Sequence, residues 1–328
     1  MGRPRQRIDG SRAPKGIDMD SQGLAAVQSG TTRALLSAMR PHQWTKNLLV
    51  FAALVFAQKF LHLPSVLSVV AGFALFCAAS SATYLLNDVC DAERDRAHPR
   101  KRFRPVASGA LPARTALLVA VLLALVAVAG GLALRGRFGL AVVLYLTLQL
   151  AYSFVLKHEA ILDVLAIAGG FCLRAYAGAA VIKVPISNWL VICTGLLALF
   201  LALAKRRHEL LQIDDAASHR RSLAGYSERM LDQMIAVVTA ATVMAYALYT
   251  MAPETVAKFG TDRLKFTIPF VLYGIFRYLY LAYAKEEGGS PSRHLLTDVP
   301  LLVDVLLFAA VAVGLLYFSS HSLTRVSP

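Results

Sequence analysis

Apolar runs long enough to cross a membrane follow one another along almost the whole chain, near residues 47–62, 65–86, 112–134, 138–156, 160–182, 188–204, 231–252, 264–284 and 300–319. A hydrocarbon core of about 30 Å takes roughly 20 helical residues to span. A backbone in lipid must satisfy its own N–H and C=O groups, and a helix does this within one segment. The sequence therefore predicts an all-α integral membrane protein built as a bundle of nine transmembrane helices. The first is the least regular, because Gln58, Lys59 and His62 intrude on its far end.

Lysines and arginines set the orientation, since they accumulate on the cytoplasmic side. With the N-terminus inside, the inner segments hold eight (1–46), seven (87–114), one (Lys157), six (205–230) and two (285–299), together 24. The outer segments hold Lys59, Arg135, Arg137, Lys183, Lys258, Arg263, Lys265 and Arg325, which is 8; Arg174 and Arg277 fall within spans and complete the 34. The bias places the N-terminus inside and the C-terminus outside a multi-pass plasma-membrane protein. It also accounts for the net charge of +14 without a nucleic-acid partner, for which no soluble basic domain exists.

One domain is expected over 35–321. It follows a basic, Gly- and Ser-containing tail (1–34), expected to be disordered and lacking the apolar segment of a signal peptide, and it precedes a short C-terminal tail (322–328). Cys77, Cys90, Cys172 and Cys193 lie in spans or on the inner side without CxxC spacing, so reduced thiols are expected. The long connections, 87–111, 205–230 and 285–299, share one face, so function is expected there.

The first of them, NDVCDAERDRAHPRKRFRPVASG (87–109), concentrates opposed charges between two apolar spans. If the preceding helix continues, Asp88, Asp91 and Asp95 fall at i, i+3 and i+7 and share a narrow stripe. Like charges so placed repel unless a cation or a basic partner sits among them. Oxygen ligands without His or Cys favour Mg²⁺, which commonly bridges carboxylates to phosphates; Asn87 adds an amide beside them. Arg100, Lys101, Arg102 and Arg104 follow within nine residues of Asp95 and suit a diphosphate. The plainer reading, a helix extension laced with Asp–Arg pairs, stays open because Arg94 and Arg96 can supply them.

The pattern Asn87-Asp88-x-x-Asp91-x-x-x-Asp95, with Arg104-Pro105 and Ser108-Gly109 after it, resembles the first aspartate-rich motif of the UbiA superfamily of intramembrane prenyltransferases. That resemblance implies a nine-helix UbiA-type fold with its active-site cavity on the cytoplasmic side, and Mg²⁺ on Asp88, Asp91 and Asp95 beneath a diphosphate leaving group. Further stretches are similar to the superfamily's decaprenyl-phosphate phosphoribosyltransferases: Arg40-Pro41-His42-Gln43-Trp44-Thr45-Lys46-Asn47, His98 to Pro105, Leu156-Lys157-His158, Phe171-x-Leu173-Arg174-Ala175-x-Ala177-Gly178, and Lys205-Arg206-x-x-Glu209-Leu210. The implied reaction is Mg²⁺-dependent transfer of a phosphoribosyl group from phosphoribosyl pyrophosphate to a long polyprenyl phosphate, toward a lipid-linked arabinofuranose. The implied partners are those two substrates and the bilayer; a homo-oligomer is left open.

The chain departs from the aromatic prenyltransferases where they carry a second aspartate-rich motif. Lys205, Arg206, Arg207, His208 and Glu209 stand there instead, with Gln212 along the face and Asp214 and Asp215 beyond, which suggests an added anionic group. A positive-inside anchor explains Lys205, Arg206 and Arg207 equally well; Lys205 and Glu209 are the candidates singled out, and Arg220, Arg221 and Arg229 read as loop charges. Charges at lipid depth usually face a polar cavity. Asp163 and Arg174 are eleven residues apart and look toward one side of their helix, about 16 Å from each other. Asp163 is expected to meet a ribose hydroxyl or Lys157, and Arg174 an acidic group or a substrate phosphate; an interhelical structural pair is the alternative for each. Lys46 and Tyr84 are further binding candidates that interfacial anchoring would also explain. Arg277 is expected to snorkel, and 288–298 yields no role. Two rival functions remain: prenyl transfer to an aromatic or quinone-precursor acceptor, and transport.

Overall fold

The computed structural model describes residues 21–99, 101–211, 221–284 and 297–323. Among the described residues every regular element is helical. Helix α1 (Ser21–Met39) leads into a 3-10 helix (Pro41–Phe51) and the short α2 (Ala52–Phe56). Then come α3 (Leu63–Cys90), α4 (Ala92–Ala97), α5 (Ala113–Leu134), α6 (Gly136–Phe154), α7 (Leu162–Val181), α8 (Asn188–Leu211), α9 (Glu228–Met251), α10 (Pro253–Phe259), α11 (Ile268–Ala284) and α12 (Val299–Leu323). Eight of the described helices are long and apolar enough to cross a membrane. The region expected as the first span forms instead the 3-10 helix and α2, and the chain turns at Gln58, which adopts positive φ. Helix α1 begins inside the stretch expected as a tail, and Ala34, Leu35, Ala38 and Met39 pack with Leu85 of α3.

The local chemistry explains the boundaries. Pro64 and Pro253 stand in the first turns of α3 and α10, where a missing N–H leaves no bond unmade. Ser227 caps α9 by accepting from the Met230 N–H at 3.2 Å, and Gly260 ends α10 in the left-handed region at φ 65°. Helix α3 has 28 residues, about 42 Å at 1.5 Å per residue. That exceeds a hydrocarbon core of about 30 Å, so its last turns, with Asn87 and Asp88, can project beyond the lipid.

Two apolar clusters join the bundle. Phe76 (α3), Phe138 and Tyr145 (α6), Val181 (α7) and Val50 form one; Phe200 and Leu203 (α8), Leu231 and Ile235 (α9), and Ile275 and Tyr278 (α11) form the other. Helix α5 turns Leu118, Val121, Leu122 and Leu125 outward. Such a face has no place in water and is what lipid-facing packing requires. Where α7 crosses the 3-10 helix, a Cβ on Gly178 would lie 2.1 Å from the Val50 carbonyl oxygen, so the crossing exists only because residue 178 has no side chain.

Candidate active site

The polar ends of α3, α6, α7 and α8 meet at one end of the bundle, with the Arg40–Lys46 segment beside them. Asp88 is 1% exposed. Its Oδ1 accepts from Arg40 Nη2 at 2.5 Å and from Arg104 Nη1 at 3.3 Å, and the same Arg104 nitrogen donates to Asp95 Oδ2 at 2.6 Å. Asp91, at the junction of α3 and α4, turns to Lys157, whose Nζ lies 3.1 Å from its Oδ1. Helical backbone bonds run through the junction, Asp91 N–H to Asn87 and Asp95 N–H to Asp91. The register expected from the sequence therefore persists, but the carboxylates do not converge: Asp88 and Asp95 share one arginine while Asp91 faces a lysine on another element. Among the described residues no three His, Cys, Asp or Glu side chains gather as a metal-ligand set.

One atom nevertheless fits a cation. Oδ2 of Asp88 is buried and accepts no hydrogen bond among the described residues, and a buried carboxylate oxygen left alone is costly. An all-oxygen donor set with an unpartnered buried lone pair suits a hard divalent ion.

Arg40 was not among the residues singled out from the sequence. It sits in the left-handed region (φ 54°, ψ 61°) immediately before Pro41, a conformation that costs a non-glycine residue of order 1–2 kcal/mol. Its guanidinium reaches Asp88 and lies 5.0 Å from the centroid of Tyr84. Trp44 fixes the segment by donating from Nε1 to Ser81 Oγ at 3.1 Å, and Ser81 in turn donates to the Met39 carbonyl. The sequence signal was the Arg-Pro step, because a residue before proline is pushed out of the helical region. Asn87 and Tyr84 are half-buried, and Lys101 and Arg102 lie exposed in a 3-10 turn. Arg100, Gln212, Asp214, Asp215, Arg220 and all but the last two residues of 288–298 lie outside the described residues.

Both intramembrane charges meet protein partners on other elements. Among the described residues Arg174 meets no acid: Nε donates to Asn47 Oδ1 at 2.8 Å, Nη1 to the Gly170 carbonyl at 2.8 Å and Nη2 to the Tyr145 hydroxyl at 3.0 Å. The rings of Tyr145 and Phe171 flank it at 4.7 and 5.3 Å, so neutral dipoles and aromatic faces solvate this cation. Asp163, fully buried, meets neither Lys157 nor solvent. Its Oδ2 accepts from Arg206 Nε at 2.7 Å and Ser222 Oγ at 3.4 Å, and its Oδ1 from the Tyr226 hydroxyl at 2.8 Å. The chain resolves the choice toward the interhelical pair, because Arg206 enters the core. It continues the stripe of Leu199 and Leu203 at i+4 and i+7 and is 1% exposed. That stripe was the signal the sequence offered; reading Arg206 as an anchor was mistaken. Arg206 also binds Glu209, and Lys205 lies 3.7 Å from Glu209 on the other side. Arg207 points away to Glu228 and Asp232. Arg277, expected to snorkel, pairs with both oxygens of Asp298 at 3.0 and 2.8 Å.

Lys46 is half-buried. Burial, with Lys205, Arg174 and Arg40 nearby, lowers its pKa to about 8, so four cations bear on one region. Burial likewise holds the Tyr226 hydroxyl above its usual range, which keeps it protonated as a donor to Asp163.

An all-helical membrane bundle with a buried aspartate clamped by arginines at one mouth defines a class. Residues 48–297 match the sequence model of the UbiA prenyltransferase family, and the chain belongs to that family. Among curated relatives, the decaprenyl-phosphate phosphoribosyltransferase of Mycobacterium tuberculosis is 36% identical over 265 residues, covering 79% of this chain and 86% of that one. The protein of the same name from Mycolicibacterium smegmatis is 32% identical over 316 residues, covering 92% and 98%. A UbiA homologue from Archaeoglobus fulgidus, solved bound to DMAPP and Mg²⁺, superposes with a TM-score of 0.66 at 20% identity over 86% of this chain and 98% of that one, which shows the shared fold.

Proposed function

We propose that this protein transfers the 5-phosphoribosyl group of phosphoribosyl pyrophosphate to a polyprenyl phosphate and releases pyrophosphate, an early step toward lipid-linked arabinofuranose. The observation that carries the reading is the buried Asp88, held by Arg40 and Arg104 with one oxygen left over, amid more cations than the carboxylates there can neutralise. An excess of positive charge suits two substrates that together bring a diphosphate and two phosphate monoesters. The curated relatives bearing the phosphoribosyltransferase name support the same chemistry.

Asp88, through the oxygen left without a partner, would hold Mg²⁺, with Asp91 and Asp95 on the same stripe as further oxygen donors; when bound, the ion would neutralise the diphosphate and ease its departure. Arg40 and Arg104 orient the carboxylates and present remaining N–H groups to phosphate oxygens. Lys157 neutralises Asp91 and stands ready for an anion, while Lys46 and Lys205 offer ammonium groups for the acceptor phosphate or the 5-phosphate. Arg174, deeper and without a carboxylate, raises the positive potential at the base of the site. As the C1–O bond breaks, positive charge grows on the ribosyl carbon. A phosphate oxygen of the acceptor, already anionic at neutral pH, attacks the opposite face, so no general base is needed and C1 inverts. Positioning and fixed charge supply the rate.

The 24-to-8 distribution of lysine and arginine supports a cytoplasmic N-terminus and active site and an outer C-terminus. That arrangement needs a ninth crossing, which the 3-10 helix and α2 together would supply. The test is to incubate membranes containing the full chain with labelled phosphoribosyl pyrophosphate and polyprenyl phosphate, and in parallel with a prenyl diphosphate and an aromatic acid. Labelled lipid from the first pair only is expected; product from the second pair alone would replace this reading with aromatic prenyl transfer.

A further inference from the structure

The connection between α6 and α7 contains an unusual bend. Ile161 has φ 69° and ψ −49°, and the Leu162 N–H bonds to the Ala160 carbonyl at 2.8 Å. This is a three-residue γ-turn with positive φ, a strained form, and here its centre is a β-branched residue. Such strain persists only where surrounding structure over-determines it.

The surroundings are specific. The Ile161 N–H donates to the Tyr226 hydroxyl at 2.6 Å, and that hydroxyl donates onward to Asp163 Oδ1 at 2.8 Å. Arg206 and Ser222 hold the other oxygen of Asp163. The chain at Gly225 lies against the turn so closely that a Cβ there would meet Ala160 Cβ at 2.8 Å. Four residues before the bend, Lys157 extends to Asp91. Residues 221–226 and the end of α8 are thus connected, through one tyrosine hydroxyl and one buried carboxylate, to the lysine that grips the acidic stripe.

We propose that Tyr226, with Asp163 and Arg206, is a positioning residue: it clamps the strained Ile161 turn and so sets Lys157 on Asp91, where the donor's phosphates bind. This rests on the site reading given above. The clamp acts through Lys157. A clamp that only stabilised the fold would weaken every function equally, whereas this one acts on donor binding and only while Lys157 is present.

The experiment has two parts on the purified full chain. In the first, backbone hydrogen exchange is followed by mass spectrometry in wild type, Tyr226→Phe and Ile161→Gly; the glycine relieves the strain and keeps the fold. Exchange over 156–162 should rise at least tenfold in Tyr226→Phe, should not rise in Ile161→Gly, where the positive φ no longer costs energy, and should stay unchanged in the body of α3 in both. In the second, the dissociation constant for labelled phosphoribosyl pyrophosphate is measured for wild type, Tyr226→Phe, Lys157→Ala and the double variant. Tyr226→Phe should weaken donor binding about tenfold in wild type and less than twofold in the Lys157→Ala background. Unchanged exchange in Tyr226→Phe, a tenfold rise in Ile161→Gly, an undiminished affinity in Tyr226→Phe, or an equal tenfold loss in both backgrounds overturns the clamp. Should wild type bind no phosphoribosyl pyrophosphate, the proposed function falls, while the exchange measurement still decides the clamp.

Discussion

Replacing Asp88 with asparagine separates catalysis from folding at this site. The side chain keeps its shape but loses the charge that Arg40 and Arg104 share. Arg104 retains Asp95 at 2.6 Å, and Arg40, 24% exposed, retains Tyr84 and access to water. The structural cost is therefore that of one charge-assisted hydrogen bond, about 1.5–3 kcal/mol, below the roughly 3–5 kcal/mol for breaking a fully enclosed ion pair. The catalytic cost is larger. Asn cannot hold a divalent ion through Oδ2 as a carboxylate does, and loss of one preorganised charge at a leaving group lowers turnover by about 10³, or roughly 4 kcal/mol. Phosphoribosyl transfer would be measured on membranes across a Mg²⁺ titration, with the amount of inserted protein quantified in the same samples. Normal insertion with about a thousandfold loss that excess Mg²⁺ does not restore is expected. A variant keeping more than a tenth of wild-type turnover would refute the reasoning.

Three more perturbations bear on the same architecture. Asp163→Asn strands the buried Arg206 beside only Glu209 and Tyr152, so thermal unfolding in detergent should show a loss of about 3 kcal/mol; the double change Asp163→Leu, Arg206→Met should recover most of it. Gly178→Ala drives a methyl group to within 2.1 Å of the Val50 carbonyl and should destabilise by about 3 kcal/mol or block assembly, read from thermal midpoint and membrane yield. For Lys46 the folded pKa is depressed from 10.5 to about 8, so the unfolded chain binds the extra proton between those values and this group's contribution to stability rises with pH across that window. Binding runs the other way: as pH climbs through 8 the ammonium is lost, so the Kd for substrate phosphate should increase, and Lys46→Arg should abolish that alkaline limb.

The membrane bundle was legible because apolar length and charge bias are properties of consecutive residues. A 20-residue run has few options in lipid, so most spans could be placed without knowing their neighbours. Residues 41–59 were less legible: Pro41 and the polar residues about Gln58 break the periodicity, and the chain there takes a 3-10 helix and a short α-helix. The same division holds at the site. Spacing alone put Asp88, Asp91 and Asp95 in helical register, and backbone hydrogen bonds keep them in it.

Spacing along one helix says nothing about which cation another element delivers. Arg40 arrives 48 residues away from Asp88 through a left-handed turn, Lys157 comes 66 residues away from Asp91, and Arg206 reaches Asp163 across 43. Sequence by itself determined the solvent, most of the helices and the acidic stripe. Only the tertiary structure decided the pairings, because in a low-dielectric interior each charge must take whichever partner packing brings within about 3 Å, and that is settled by how helices cross.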